Sequence, residues 1–414
     1  MSSPFTLVLT GQSLIHHDVR EVVDSGFDEI KQVIRQADIA FTNLETTIYG
    51  RHGGWPMKGF YFGCSDPVVL DTLKDVGFGA LALSNNHAFD LGPSGVLSTL
   101  EEVAARGFLH AGIGIDAGQA RRAGTRMFGD RLVALVAMDA GPGPSNMYAA
   151  DATARRPARP GVNQLDVSRR FEVDDATFTA LAAIQQTFQS SPMERANYAQ
   201  PEDPRVLDTV KDMDFYGTVF RRGEENRRQI LVDENSLHVH LATIRQAVAE
   251  GAFVIAYLHH HHWEPSWREV PGWVRSFAQC CIDAGAGAFV SHGAPVLQPI
   301  EIYRDVPIFF GLGNFLFHLE EGEVVWSDPD VWKSLVATCH FDDQGRLQSM
   351  DLLPVVIGGD RFDKRNYHKR IVPVPAPPAL ATEMLQDLAA RSKPHGTFIS
   401  VEGNGGTIFN AGED

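Results

Sequence analysis

Ala82-Leu-Ser-Asn-Asn-His-Ala-Phe-Asp-Leu-Gly92 is the stretch that decides the fold. Its apolar start stops abruptly at Asn85, Asn86 and His87, with Asp90 and Gly92 close behind. That pattern reads as a buried strand whose C-terminal tip delivers an amide, an imidazole and a carboxylate to one place. Groups of this kind at a strand tip bind metal ions or handle protons, which points to a hydrolytic metal site. The competing reading makes Asn85 and Asn86 a polar turn and Asp90 the cap of the next helix.

The same arrangement recurs elsewhere in the chain. Asp38-Ile-Ala-Phe-Thr-Asn-Leu-Glu-Thr-Thr-Ile48 is β-prone and releases Asn43 and Glu45 where its hydrophobic pattern breaks, so Glu45 is a candidate hard ligand. Ala252-Phe-Val-Ile-Ala-Tyr-Leu258 runs directly into His259, His260, His261 and His262, an internal run and so not a purification tag. Ala286-Gly-Ala-Phe-Val-Ser-His-Gly293 ends at His292. A single histidine after a strand is ordinarily structural or solvated. Parallel strands of an α/β fold, however, bind ligands beyond their carboxyl ends, so tips far apart in sequence converge.

Alternating units support that fold class. Strands are expected over 5–10, 38–42 and 131–138, the last ending at Asp139, and helices near 24–36, 67–77 and 93–107. The pattern changes over about 141–237, where Gly141-Pro-Gly-Pro-Ser145 and Arg155-Arg-Pro-Ala-Arg-Pro-Gly161 predict an inserted, loop-rich subdomain lying over the strand tips, with a helix from Asp174 to Phe188 that Asp175 could cap. Arg155, Arg156, Arg159, Arg169 and Arg170 either recognise a substrate anion or form a solvated basic face. His238 and His240 fall on differing faces of a helix over 236–250 and are left out of the site, and Trp263, Trp267 and Trp273 read as loop packing or as pocket walls. Val372-Pro-Val-Pro-Ala-Pro-Pro378 reads as an extended linker to a final helix over 379–391.

Composition narrows the partners. At 414 residues the chain supports one large α/β domain plus a subdomain. A net charge of −16 disfavours nucleic acid and anionic membranes. Cys64, Cys280, Cys281 and Cys339 lack Cys-x-x-Cys spacing and read as reduced, buried thiols. The N-terminal apolar run is too short to span a bilayer, so a cytoplasmic protein without a membrane anchor is expected.

The residues also resemble the CapA-like proteins of capsule and poly-gamma-glutamate biosynthesis, a branch of the calcineurin-like metallophosphoesterase superfamily. The likeness runs through Asn43-Leu-Glu45, Ser84 to Gly92, His110-Ala-Gly-Ile-Gly114, His259, Val296 to Tyr303 and Phe309 to Phe317, and covers roughly residues 5 to 140 and 245 to 355. It implies a layered metallophosphoesterase-like fold with a βαβ-derived core, here a domain over 1–355 with the insertion about 141–237, followed by a C-terminal extension over 356–414. Carried over residue by residue, the resemblance implies one metal site built from Glu45, Asn86, His259 and His292.

The departures concern the second metal. Where the family usually has Gly-Asp after its first strand, this chain has Gly11-Gln12; where it usually has Gly-His-x-Pro-His, this chain has Ser291-His-Gly-Ala-Pro295. Gln12 offers no charge and Pro295 no ligand atom, so one divalent ion (Mn, Fe or Zn) per chain is expected, unless His16, His17 or His261 substitutes. His87, oriented by Asp90, is the expected proton donor, a role the resemblance also implies, with His261 the next candidate. The function expected is metal-dependent hydrolysis of a phosphoester or of an amide related to poly-glutamate, on a small-molecule or peptide-like acidic substrate. Two other readings stand beside it: an oxygenase of the non-haem iron type, using two histidines and a carboxylate, and a binding protein that has lost turnover.

Overall fold

The computed structural model describes residues 3–59, 62–188, 210–216, 218–319, 328–358 and 372–409. The chain divides into two compact units, Met1–Gln164 with His238–Asp414, and Leu165–Leu237.

The larger unit is a mixed α/β structure with two principal sheets. In the first, Phe5–Leu9, Ile39–Asn43, Ala80–Ala82 and Leu109–Ala111 pair in parallel, and Lys333–Phe341 and Leu347–Ile357 extend the sheet antiparallel from Phe5–Leu9. In the second, Arg131–Asp139, Phe253–His259 and Ala288–His292 are parallel neighbours, joined by Val306–Phe309.

Alternation along the strands explains the layering. Phe5, Leu7 and Leu9 share one buried cluster with Leu135, Ala137, Ile255, Tyr257 and Val290 of the other sheet. Val8, Ala40 and Leu81, on the opposite face, pack against Phe27, Ile30 and Ile34 of the helix Ser25–Gln36 and against Leu70 and Leu73 of Val68–Val76. The first helix begins where the Asp24 carboxylate accepts the N–H groups of Gly26 and Phe27, and the second stops at Gly77, whose φ of 120° favours glycine. The strand tips therefore belong to two sheets sharing one core, not to a single parallel sheet.

Residues read as an appended C-terminus join this unit. Pro373–Pro375 pairs with Leu347–Ile357, as do Gly405–Phe409, and the helix Pro378–Ser392 buries Ala381, Met384, Leu385 and Leu388. The proline run expected to be a linker thus forms a short off-path strand, a place where a missing N–H is tolerated. Residues 359–371 and 410–414 lie outside the described residues.

Among its described residues the smaller unit consists mainly of strands and a helix, where the sequence led us to expect loops. Asp212–Phe215, Thr218–Arg222, Val167–Val173 and Arg227–Val232 form a four-stranded sheet, joined by the helix Asp175–Thr187. Asp174, not Asp175, caps that helix through the N–H of Thr177. Adjacent charged residues such as Arg169-Arg170, Arg221-Arg222 and Arg227-Arg228 interrupt the period of these strands, and of Val167–Val173 only Val173 is buried. Residues 141–164 lie in the larger unit, so the unit boundary falls at Leu165; residues 189–209 of the expected insertion are not among those described.

Candidate metal centre

The strand Phe253–His259 aligns its last residue with Asp139 on one side and with His292 on the other, so the tips stand side by side by register alone. Where the chain leaves the sheet, the N–H of His260 donates to the His292 carbonyl at 3.1 Å and that of His261 to the Gly141 carbonyl at 2.7 Å. Those bonds keep the histidine run close to the tips. Glu45, after the strand Ile39–Asn43, comes in from the other sheet and brings Oε1 to 3.4 Å from His259 Nε2. Ligand atoms of Glu45, His259 and His261 all lie within 4.8 Å of one another.

His259 is oriented from behind. Its Nδ1 lies 3.1 Å from Asp139 Oδ1, while Asp139 Oδ2 accepts the Tyr148 hydroxyl at 3.1 Å and the Gly141 N–H at 3.0 Å. A carboxylate on one ring nitrogen fixes the tautomer and leaves the other for a metal. Burial pulls the His259 pKa down, but the hydrogen bonds and charges of Asp139 and Glu45 overcome it and raise it to about 9. Burial, with His259 next, drives His292 down to about 3 and His261 well below its ordinary value. Two buried carboxylates thus create a field that favours positive charge at His259, beside His261 and His292, which burial holds neutral.

The residues fit a divalent metal. Glu45 Oε2, Asn86 Oδ1, His259 Nε2, His261 Nε2 and both ring nitrogens of His292 are buried without a hydrogen bond of normal geometry. Leaving such atoms unsatisfied costs about 1–3 kcal/mol each, and a cation shared by the Glu45, His259 and His261 lone pairs would remove that cost for those three.

Glu45, Asn86, His87 and His261 line one cleft of about 390 Å³. Asn85 does serve the turn, donating to Asn43 Oδ1 at 3.0 Å and to the Leu44 carbonyl at 2.7 Å, and accepting the His87 N–H at 3.0 Å. Asp90 does not cap a helix: Gly92–Ala105 begins at Leu91 without a side-chain cap. Its Oδ2 instead lies 2.8 Å from His87 Nδ1 and accepts the Gly63 N–H at 2.6 Å, and its Oδ1 pairs with Lys58 Nζ at 3.0 Å. A side chain at Gly63 would strike the His87 ring, with its Cβ 2.7 Å from Nδ1.

Elsewhere in the cleft the sequence departures have found protein partners. Gln12 Nε2 donates to Asn314 Oδ1 at 2.9 Å, and Gln12 Oε1 accepts the Gly293 N–H at 3.3 Å. Pro295 lines the cleft beside it. His16 also lines the cleft, its pKa lowered to about 4 by burial and then by His17 and His87, whereas His17 stacks on His318 at 5.2 Å. Of the expected residues, then, Glu45, His259 and His261 are brought together, His292 stands in register beside them, and Asn86 and His87 share their cleft.

Asp139 and Lys58 were not anticipated in the site. A strand ending in Asp139 was visible, but only pairing with His259 gives that carboxylate a role; Lys58 sits in a loop with no motif. Three of the five arginines are held in structural contacts: Arg159 donates to the Tyr148 and Ser145 carbonyls, Arg169 lies over Phe171 and Arg170 donates to Gln229. Trp263 lines the cleft, while Trp273 faces His260 and His262. All four cysteines are free, with Cys281 and Cys339 buried and Cys64 and Cys280 partly exposed. Among the described residues no helix is long and apolar enough to cross a membrane.

Fold and site together define a layered α/β protein with a carboxylate–imidazole cluster at the tips of two sheets. Residues 6–319 match the family model described as bacterial capsule synthesis protein PGA_cap, and the chain belongs to that family. It is similar to an uncharacterized protein of Sinorhizobium fredii, at 28% identity over 98% of this chain and 93% of the relative. It is also similar to a probable polyglutamine synthesis accessory protein of Mycobacterium tuberculosis, at 24% identity over 79% of this chain and 68% of that one. Among solved structures, a 5′-nucleotidase precursor from Thermus thermophilus aligns with 94% of this chain and 58% of its own, at 12% identity and a TM-score of 0.37, too distant to carry weight.

Proposed function

We propose that the protein is a metal-dependent hydrolase of a phosphoester or amide, using one divalent ion, Mn, Fe or Zn, per chain. The observation that carries this reading is the meeting of Glu45, His259 and His261 within 4.8 Å, with Asp139 behind His259. Asn86 and His292 would complete the ligand set. A bound divalent ion supplies Lewis acidity, polarising a substrate oxygen and bringing the pKa of water from ~15.7 toward ~7.

The chain's own residues do the rest. Asp90 holds His87 by Nδ1, which leaves Nε2 to donate a proton to the leaving atom of a substrate in the cleft. Gly63 keeps the space that this ring orientation needs. The expected substrate is a small or peptide-like acidic molecule, and the expected location cytoplasmic; a nucleic-acid partner is disfavoured by the net charge of −16.

A second reading has one observation in its favour: Glu45, His259 and His261 are a carboxylate and two imidazoles, the ligand types of non-haem iron oxygenases. Assay of the protein loaded separately with Mn, Fe and Zn, on a chromogenic phosphoester and a glutamyl anilide, with and without oxygen, separates the two. Hydrolysis that needs the metal and ignores oxygen is expected. Oxygen-dependent conversion, or none with any metal, would overturn the proposal.

A further inference from the structure

The cleft has two unlike walls. Besides Glu45, Asn86 and His261 the lining carries an apolar set, Leu14, Trp263, Pro295, Phe317 and Leu319, with the Trp263 ring 4.8 Å from that of His261. That set is backed: Leu14, Phe317 and Leu319 belong to a hydrophobic cluster with Val331, Trp332 and Ile357, Trp263 packs against it, and Phe317 meets the Trp332 ring at 5.5 Å. Its members are held in place before any ligand arrives, so an apolar group entering the cleft loses little to reordering. Gln12 stands at the seam with both ends of its amide engaged and asks for no ion.

Charge along the cleft is sparse. Lys58 is the single lysine or arginine among the described lining residues, and its ammonium is shared with Asp90 Oδ1 at 3.0 Å and sits 3.2 Å from His87 Nδ1. Its side chain is 30% exposed, and its ammonium also donates to the Asn86 carbonyl at 3.4 Å. Such a cleft receives one anionic group at the Lys58–His87 end and has no row of cations for a polymer bearing a carboxylate on every residue.

We infer that the ligand of this cleft is a small molecule with one phosphoryl or carboxylate head, received beside Lys58, and an apolar or aromatic arm laid on the Trp263–Phe317–Leu319 wall. This rests on the reading of the cleft as a hydrolase substrate site, and narrows it to esters or amides with an apolar arm. Lys58 acts as a binding residue for the head, and Trp263 and Leu319 set specificity for the arm.

The test is calorimetric titration of the Mn-loaded full chain with phenylphosphonate, methylphosphonate and a short γ-linked glutamate oligomer. Phenylphosphonate should bind about tenfold or more tightly than methylphosphonate, since it adds a buried ring to the same head. Trp263→Ala and Leu319→Ala should each shrink that ratio, and Lys58→Met should weaken both phosphonates in parallel by about tenfold. Circular dichroism identifies a variant that has not folded, in which case the other wall substitution decides. Equal affinity for the two phosphonates, a ratio intact in every folded wall variant, parallel binding unchanged in Lys58→Met, or tighter binding of the glutamate oligomer would overturn the inference. Turnover of phenyl phosphate keeps the two readings apart. No turnover with the preference intact removes the hydrolase and leaves the ligand class; turnover without the preference removes the ligand class alone.

Discussion

Two groups of residues lining the cleft have reached opposite electrostatic solutions. On one side Glu45 and Asp139 bracket His259, and His261 and His292 lie close by, with several buried lone pairs left open. On the other, Gln12 commits its amide to Asn314 and Gly293, and Pro295, Phe317 and Leu319 supply hydrocarbon. Buried polar groups are normally paired. On the proposed reading, the contrast separates a metal-binding side from one whose polar groups are paired within the protein.

The largest expected effect comes from breaking the open side. His259→Ala should lose the ion and, with it, essentially all turnover, measured by elemental analysis and by the phosphoester assay. His87→Ala should keep the ion while turnover falls by about 10²–10⁴-fold, the usual worth of a positioned acid. Loss of metal in that variant would instead make His87 a ligand.

Asp139→Asn sharpens the comparison at one remove from the ion. It keeps the shape of the group behind His259 but weakens the orienting bond, so metal affinity should fall about 10–100-fold in a calorimetric titration. An unchanged affinity would show that the Asp139–His259 contact serves packing alone.

The smallest effect is expected on the finished side. Gln12→Glu replaces a donor with an acceptor facing Asn314 Oδ1, and Asn314 cannot turn its amide without giving up the bond from Nδ2 to the Val331 carbonyl at 2.9 Å. Denaturant titration should show a loss of about 1–3 kcal/mol. Tight binding of an additional ion by this variant would mean that the side is a dormant metal site and not a finished wall.

What the sequence made legible follows the same division. The strand tips stood out because apolar runs end there, and the choice of Glu45, Asn86, His259 and His292 among their residues came from the family resemblance. His261 was harder to place, since its approach to Glu45 depends on the Gly141 carbonyl that holds its backbone. Gln12 was visible as a departure, yet its partner Asn314 is 302 residues away and no local pattern links them. Lys58 left no trace because a loop lysine beside a carboxylate is written only in three dimensions. The sheet of the smaller unit was missed for a related reason: Val167-Ser-Arg-Arg-Phe-Glu-Val173 carries its charges on a strand with little burial, where alternation is weak.

The central claim is that one side of this cleft binds metal and the other does not, and counting tightly held ions in the purified full chain tests it most directly. After metal loading and removal of weakly bound ions by gel filtration, elemental analysis should return about one divalent ion per chain, as expected from a ligand set confined to the Glu45–His259–His261 side. Two tightly held ions per chain, or none, would contradict it.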